Sequence, residues 1–509
     1  MSTSPAEIRL QPFPGGLALT PSKTVSLSRA LTRAPLPTRL YVPIGQHQGE
    51  AGEILVEAGQ QVEAGQALTS AEDDFQVAAH APCAGTVIGL VDRLAAFPPG
   101  SHRRHIEIQP GADQPGSKPR PLADWSERLP AEIVDHLRAM GLAGMGGALF
   151  PTAAKLRGPW PQIHTLILNG AECEPWISCD ESLMREDPQA ILRGGLILAA
   201  ATGARRILLA LEDHADGPYP GLEAAAREHD PDGRIEILRV PAVYPQGGER
   251  QLIQTLTGLE VPHDGLPQDL GLLCHNVATA AAAFEAVERG LPLTERVVTV
   301  TGPGIARPCN LRVAIGTPIR HLVALAGGYT EQARRLILGG PMSGTALPGD
   351  EIVITKGSNC VLVLTESELG PARPALPCIN CGACVPVCPA SLLPQLMYRA
   401  IAAERTQQAR ELNLFDCIEC GCCAQVCPSH IPLVDYYRHG KAELRTRDLD
   451  QRRAALARRR HEARQVRLTQ EQAERQARRQ ARAERLQKSE LARDDIQAAI
   501  ERARTKKQS

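Results

Sequence analysis

Aromatic residues are scarce in this 509-residue chain, at 3%: three Trp, seven Tyr and six Phe. So few stacking side chains offer little for nucleic-acid bases to lie on, and no nucleic-acid partner is expected. Long apolar runs are missing as well. No window reaches the roughly 18 uninterrupted apolar residues that a membrane span needs. The nearest approach, Leu196 to Leu211, is broken by Gly203, Arg205 and Arg206. The opening Met1 to Glu7 lacks the basic start and apolar stretch of a signal peptide, so a soluble, non-exported chain is expected. Net charge is almost absent, at −1, yet it hides an asymmetry. From Gln451 to Ser509 there are 18 Lys and Arg against 8 Asp and Glu, so a tail of +10 hangs on a body of −11. Cysteine, by contrast, is plentiful. Fifteen of them in a non-exported chain imply cofactors and free thiols, not disulfides.

Nine of the fifteen fall into two runs, eight of them at matching positions. Cys378-Ile-Asn-Cys381-Gly-Ala-Cys384-Val-Pro-Val-Cys388-Pro389 is followed by Cys417-Ile-Glu-Cys420-Gly-Cys422-Cys423-Ala-Gln-Val-Cys427-Pro428. Each reads C-x2-C-x2-C-x3-C-P, the spacing that puts three thiolates on one cubane cluster and sends the fourth to a neighbouring one. Zinc sites use paired C-x2-C units and lack the third close cysteine and the closing proline. Two 4Fe-4S clusters with crossed ligation are therefore expected. One takes Cys378, Cys381, Cys384 and Cys427; the other takes Cys417, Cys420, Cys423 and Cys388, leaving Cys422 spare. Such clusters carry single electrons, so the rest of the chain should show where electrons enter.

The length calls for about three or more domains. Residues 1–40 are Pro-rich without a clear period and read as a lead-in that packs on a later domain. Residues 41–110 hold short β-type runs (Gly52 to Val56, Gln66 to Thr69, Gly85 to Gly89, His105 to Ile108) between Gly-rich turns, the pattern of a small barrel or sandwich. The elements "EAGQQVEAGQAL" and "AHAPCAGTV" resemble the biotinyl/lipoyl carrier fold. Where those carriers bear a modified Lys, this hairpin tip reads Ala71-Glu-Asp-Asp74-Phe75, so the fold is expected without the swinging arm.

A Pro/Gly linker from Ala112 to Asp124 leads to residues 125–293. A helical stretch, Pro130 to Met140, precedes Gly141-Leu-Ala-Gly144-Met-Gly146-Gly147-Ala-Leu-Phe150-Pro151-Thr152-Ala-Ala-Lys155. A Gly-rich loop opening into a helix can bind an anion with its amides and the positive helix end. The pattern alone fits a structural turn equally well, because Leu149 stands where a Rossmann fingerprint needs a third small residue and no strand precedes it. After it come a strand from His164 to Asn169, a helix from Pro188 to Gly203, a strand from Arg206 to Leu211, a helix around Leu222 to His229 and a strand from Arg234 to Val240. That alternation is an α/β domain, and ligands bind at the carboxyl ends of its strands. Acidic and Gly-rich segments lie there: Gly170 to Pro175, Tyr244 to Arg250, and Cys274 to Thr279.

"GLAGMGGALFPTAAKL", "NGAECEP", "YPQGGERQL" and "HNVAT" resemble, in the same order, the four ligand loops of the flavin-bearing subunit of respiratory complex I. With the carrier-like front and two-cluster back, Phe13 to Arg438 resembles the RnfC (RsxC) family, peripheral subunits of Rnf ion-translocating oxidoreductases. The resemblance implies non-covalent FMN, with NAD(H) as substrate. Phosphate and isoalloxazine contacts would fall on Gly144, Gly146, Gly147, Lys155, Asn169, Glu172, Tyr244, Gly247, Asn276 and Thr279. Phe150, Glu174 and Glu249 would lie on the nicotinamide-nucleotide side. Complex I has Asp, Asn and Glu where this chain has Ala171, His275 and Ala278, so contacts there must differ. No acid or base is needed for hydride transfer, so no catalytic residue is named.

The resemblance also implies an α/β multidomain layout. A β-rich barrel-sandwich front domain precedes the α/β FMN-binding domain and a β-grasp, SLBB-like domain at 294–345. A return segment at 346–370 leads to an α-helical two-cluster ferredoxin domain at 371–440, with helices over Ser391 to Leu414 and Ile431 to Leu444. A basic tail at 441–509 reads as a solvated, partly ordered helix whose apolar residues are too sparse for a heptad seam. By the same resemblance the subunit is peripheral, on the cytoplasmic face of a bacterial inner membrane. It would exchange electrons with Rnf membrane and iron-sulfur subunits and, through them, with ferredoxin or flavodoxin, coupled to Na+ or H+ movement. Two other readings share features: a cobalamin reductase of the same layout, and a non-enzymatic iron-sulfur scaffold whose Gly loops are structural.

Overall fold

A computed structural model describes residues 9–46, 49–96, 100–114, 118–158, 161–371 and 373–506. The expectation at Met1 to Glu7 lies outside these residues. Two compact units result, one of residues 1–403 with 408–437 and one of 404–407 with 438–509. Among the described residues no helix is long and apolar enough to cross a membrane.

In the front domain, Leu40–Pro43, His102–Pro110, Gly85–Leu94 and Gln61–Val62 form an antiparallel sheet. Its register pairs Leu40 with Ile108 and Val42 with Ile106, and all four side chains are buried while Glu107 points away, the period-two signature of a sheet with one buried face. The expected runs at Gly52 to Val56 and Gln66 to Thr69 are not strands. They contribute isolated bridges, Ile54 to Thr69 and Ala67 to His80, because tight turns leave too few residues for a ladder.

The second domain is built on a parallel sheet in the order Ile235–Val240, Arg206–Glu212, Thr165–Gly170, Leu272–Asn276. Both faces are buried, as parallel sheets require. Leu166, Leu168, Leu209 and Leu273 face one apolar cluster, and Ile167, Leu208, Leu272 and Cys274 face another. Each such Leu or Ile contributes roughly 1.5–3 kcal/mol. Helix Pro188–Thr202 starts on the Asp187 side chain, which accepts from Ala190 N, and stops at left-handed Gly203. It crosses helix Val277–Val287 so closely that a Cβ on Gly194 would lie 1.7 Å from the Ala280 carbonyl oxygen. Glycine is obligatory there.

The third sheet is mixed and six-stranded: Thr32–Arg33, Cys309–Ala314, Glu295–Thr301, Cys360–Thr365, Ala333–Leu338, Thr345–Ala346. It draws strands from both sides of the 294–345 span. Cys360–Thr365, placed by sequence in the return segment, pairs parallel with Glu295–Thr301, and Thr32–Arg33 of the lead-in pairs with Cys309–Ala314. Helix Ile319–Leu325 covers this sheet through Ile319, Leu322 and Val323.

Towards the C-terminus, the helix expected from Ser391 to Leu414 is two, Pro394–Ala402 and Thr406–Glu411, separated where Glu404 takes a positive φ of 57°. The helix expected from Ile431 runs instead as Leu433–Thr505, unbroken because residues 451–505 contain neither Gly nor Pro. All described residues from 451 onward are exposed.

Candidate functional site

The two cysteine loops fold as copies of each other. Positive φ recurs at Asn380 and Glu419, at Gly382 and Gly421, and at Ser391 and His430, each pair at the same offset from its run's first cysteine. Only the glycines announce this in sequence; Asn380 and Glu419 are held left-handed at φ 57° and 59° by the loop around them. Cys388, Cys417, Cys420 and Cys423 line one cavity, closed by Leu392, Met397 and Tyr437. Cys378, Cys381, Cys384 and Cys427 line a second, bordered by Tyr398 and Ile431. Backbone amides are already turned towards sulfur, Leu392 N to Cys388 Sγ and Glu419 N to Cys417 Sγ, both at 3.4 Å. Burial raises the thiols of Cys384, Cys388 and Cys423, the last to about 12. Such thiols would release their protons to water as sulfur binds a cation. Four sulfur donors per apolar cavity, with N–H groups to spare for sulfur, suit an iron-sulfur cluster in each. Cys422 is fully buried at the start of the short helix Cys422–Gln425, and it lines neither cavity.

At the carboxyl end of the parallel sheet, four loops converge. The glycine loop is closed by Gly144 N donating to Phe150 O at 2.8 Å and by a bridge between Ala143 and Pro151. Its middle, Gly146 and Gly147, is exposed; Gly147 has φ 101° with open space where a Cβ would stand. A Cβ on Gly146 would press on Asn276 Cβ at 3.2 Å. Thr279 Oγ1 accepts from Met145 N at 2.9 Å and ties the loop to helix Val277–Val287. Asn276 caps that helix by accepting from Ala278 N, and donates to Asp180 Oδ2 at 2.6 Å. Asn169 donates to Gly247 O at 2.9 Å, and a Cβ on Gly247 would meet the Ala171 carbonyl at 2.3 Å. Gly144, Gly146, Gly147, Asn169, Gly247, Asn276 and Thr279 thus form one framework, with open glycine backbone of the kind an FMN phosphate needs.

Other expected ligand residues are engaged within the protein. Lys155 Nζ donates to Glu249 Oε1 and to Cys274 O, both at 2.6 Å, so residues assigned to opposite sides of the ligand pair with one another. Glu174 accepts from Met342 N at 3.2 Å, Ser343 N at 2.8 Å and the Ser343 hydroxyl, holding the loop after strand Ala333–Leu338. Burial nonetheless raises its carboxyl. Tyr244 is 4% exposed, and its hydroxyl donates to Cys420 O at 2.7 Å. A flavin-type loop and a cluster loop are therefore in direct contact. Gln251 Nε2 to Pro389 O (3.3 Å) and Gly16 N to Val387 O (3.1 Å) add further joins to the loops that carry Cys388.

Glu172 is nearly enclosed, its side chain 7% exposed. Its carboxylate accepts from Asp180 N at 3.0 Å and Glu181 N at 3.3 Å, beside Cys179 Sγ at 3.2 Å. Burial is the largest influence and pushes it up to about 7, against the pull of Lys23. Sequence reasoning missed Lys23. Its ammonium donates to Glu172 O and to Glu212 Oε2 at 3.1 Å, and the side chain is 5% exposed. Nothing in the aperiodic lead-in marks it. Arg296, also missed, is buried beside Cys179 and Asp180 and donates to Lys356 O.

Comparison with known proteins gives a consistent picture. Four family descriptions match in order: "RnfC Barrel sandwich hybrid domain" over residues 11–111, "Nuo51 FMN-binding domain" over 137–285, "SLBB domain" over 297–346 and "4Fe-4S dicluster domain" over 374–431. Proteins named as the C component of the ion-translocating oxidoreductase complex are similar over 98% of this chain. Those of Pseudomonas aeruginosa and Edwardsiella ictaluri are 42% identical, with 66% and 62% of their own lengths covered, and that of Serratia proteamaculans is 41% identical with 70% covered. The chain thus spans about two thirds of these relatives. A crystal structure of an air-oxidized NAD+-reducing NiFe hydrogenase aligns with a TM-score of 0.46 and 21% identity over 62% of this chain and 64% of that one.

Proposed function

Because the chain belongs to the RnfC family, the C components of ion-translocating oxidoreductase complexes, we propose that it is the electron-exchange subunit of such a complex, linking NAD(H) through FMN to two 4Fe-4S clusters. The observation that carries this is the join of Tyr244 to Cys420, which sets a flavin-type loop against a four-cysteine cavity within one compact unit. Bound FMN would supply the exchange between hydride and single electrons, and the clusters one-electron carriage. The chain's own groups do the positioning. Gly146 and Gly147 present backbone to the phosphate, while Asn169, Gly247 and Asn276 fix the strand-end loops around it. The eight thiolates hold the clusters. Glu172, raised by burial, gives the site a carboxyl that exchanges its proton near neutral pH.

Electrons would pass between NAD(H) and ferredoxin or flavodoxin by way of other subunits, and ion movement would belong to membrane-spanning partners. The protein would associate peripherally with the cytoplasmic side of the inner membrane, its basic tail meeting anionic headgroups or acidic partner surfaces.

Anaerobic purification should yield one FMN and about eight iron per chain. NADH titration should bleach the clusters and raise their reduced EPR signals. Protein without FMN, or clusters indifferent to NADH, would count against this reading and for a non-enzymatic scaffold. A second expected result concerns the join itself. Tyr244→Phe keeps the ring but leaves the Cys420 carbonyl without its donor, at a cost of about 1 kcal/mol. Iron held by Cys417, Cys420, Cys423 and Cys388 should be released faster to a chelator than in the unaltered protein, with the other cluster unaffected.

A further inference from the structure

We propose that the front domain completes the nucleotide site: the ring of Phe75, at the hairpin tip where carrier proteins bear their modified lysine, stacks on the purine base of the dinucleotide. This rests on the reading that the glycine loop serves FMN and NAD(H).

Phe75 is one of six phenylalanines in the chain and is 58% exposed. It meets Phe150 edge to face, with centroids 6.3 Å apart and planes at 83°. Phe150 closes the glycine loop, so the exposed Phe75 ring packs on the residue that ends the loop whose middle, Gly146–Gly147, is itself exposed. The preceding residue, Leu149, is held at φ 51°, a left-handed conformation that a bulky side chain rarely adopts, and its side chain packs against Gly357.

The tip is rigid and docked. Asp73 Oδ1 accepts from Phe75 N at 2.8 Å and Gln76 N at 3.1 Å, and Gln76 Oε1 accepts from Glu72 N at 2.7 Å. Arg157 grips Asp74 at 3.1 and 3.3 Å, and Arg138 donates to Glu72 O at 2.9 Å. Behind the tip, the buried ammonium of Lys356 donates to Ala78 O at 2.8 Å and Gly141 O at 2.7 Å, bolting the hairpin to the start of the glycine loop. These bonds order a segment whose largest apolar side chain stays in water, an arrangement that gains little for folding. A preorganised, largely exposed ring, docked on a loop with exposed glycines, suits a ligand that is aromatic at one end and anionic in the middle. A nicotinamide dinucleotide has that form.

The test uses FMN-loaded, full-length protein. ADP-ribose, which carries the purine half without redox chemistry, is titrated calorimetrically, and NADH oxidation is compared with that of reduced nicotinamide mononucleotide, which lacks the purine. Phe75→Ala should weaken ADP-ribose about tenfold and raise KM for NADH by a similar factor at unchanged kcat. The mononucleotide should react as in the unaltered protein, and Phe75→Trp should restore affinity. If Phe75→Ala loses FMN, Phe75→Leu, which keeps apolar bulk without the aromatic face, carries the test. Unchanged ADP-ribose affinity in a variant that retains FMN overturns the proposal while leaving the function reading intact. Unaltered protein that binds neither FMN nor NADH overturns both.

Discussion

Cys388→Ala halves the iron content, from about eight to about four per chain, and the iron lost is that of the second loop's cluster, although Cys388 lies in the first. The reason is spatial. Cys388 shares its cavity with Cys417, Cys420 and Cys423, and the other cavity gathers Cys378, Cys381 and Cys384 with Cys427. Cys427→Ala should therefore remove the complementary four iron atoms, while Cys422→Ala, whose buried thiol lines neither cavity, should remove none. Colorimetric iron together with EPR of the reduced protein separates these outcomes. The two losses should also differ in consequence. The cavity containing Cys388 and Cys420 is the one joined to the flavin-type loops through Tyr244, Gln251 and Gly16. Losing its cluster should leave NADH able to reduce FMN but cut the remaining cluster off. Losing the other should still allow one cluster to be reduced. A Cys388→Ala protein that retains about eight iron would contradict crossed ligation outright.

How much of this was legible depended on whether a function rests on residue type or on long-range pairing. Thiolate ligation demands cysteine at fixed short intervals, so both cluster loops could be read directly. The left-handed turns at Asn380 and Glu419 could not, because neither residue type requires them. The parallel sheet was visible as alternating apolar strands and helices, and the glycine loop as a motif. The mutual engagement of Lys155 and Glu249 was not visible, since it is settled by where two loops meet in space. Cys360–Thr365 is buried along its whole length. Its placement beside Glu295–Thr301 follows from a parallel register, Thr299 with Cys360, that local pattern cannot specify. In the front domain the β-type runs were real preferences, but the pairing there is too short to make strands of all of them.

The lead-in was the least legible segment, and it carries the other large expected effect. Lys23→Met should destabilise the flavin-type domain by about 3–5 kcal/mol, the usual consequence of removing one partner from a buried charged group. Lys23 is the only cation bonded to Glu212 among the hydrogen bonds of the described residues, and it also holds the Glu172 carbonyl. Burial disfavours its ammonium, yet Glu172 and Glu212 more than offset that and leave its pKa raised. The sign of the pH dependence follows. Folded Glu172 is raised from its ordinary range to about 7, so across that window the native state holds a proton that the unfolded chain has lost, and stability falls as pH rises. Removing Lys23 takes away the charge that pulls Glu172 down and extends the window upward. The penalty of Lys23→Met should therefore be smallest near pH 5 and grow towards pH 8, as read by denaturant unfolding at each pH. A pH-independent penalty would mean lost packing, not lost charge. The same substitution should loosen what the segment spans: Leu17 pairs with Tyr244, Pro21 O accepts from Trp176 N at 2.7 Å, and Gly16 N reaches Val387 O. Weaker FMN retention and faster iron loss should appear together in this variant, because one strap of chain holds the flavin-type loops and the first cysteine loop in the same register.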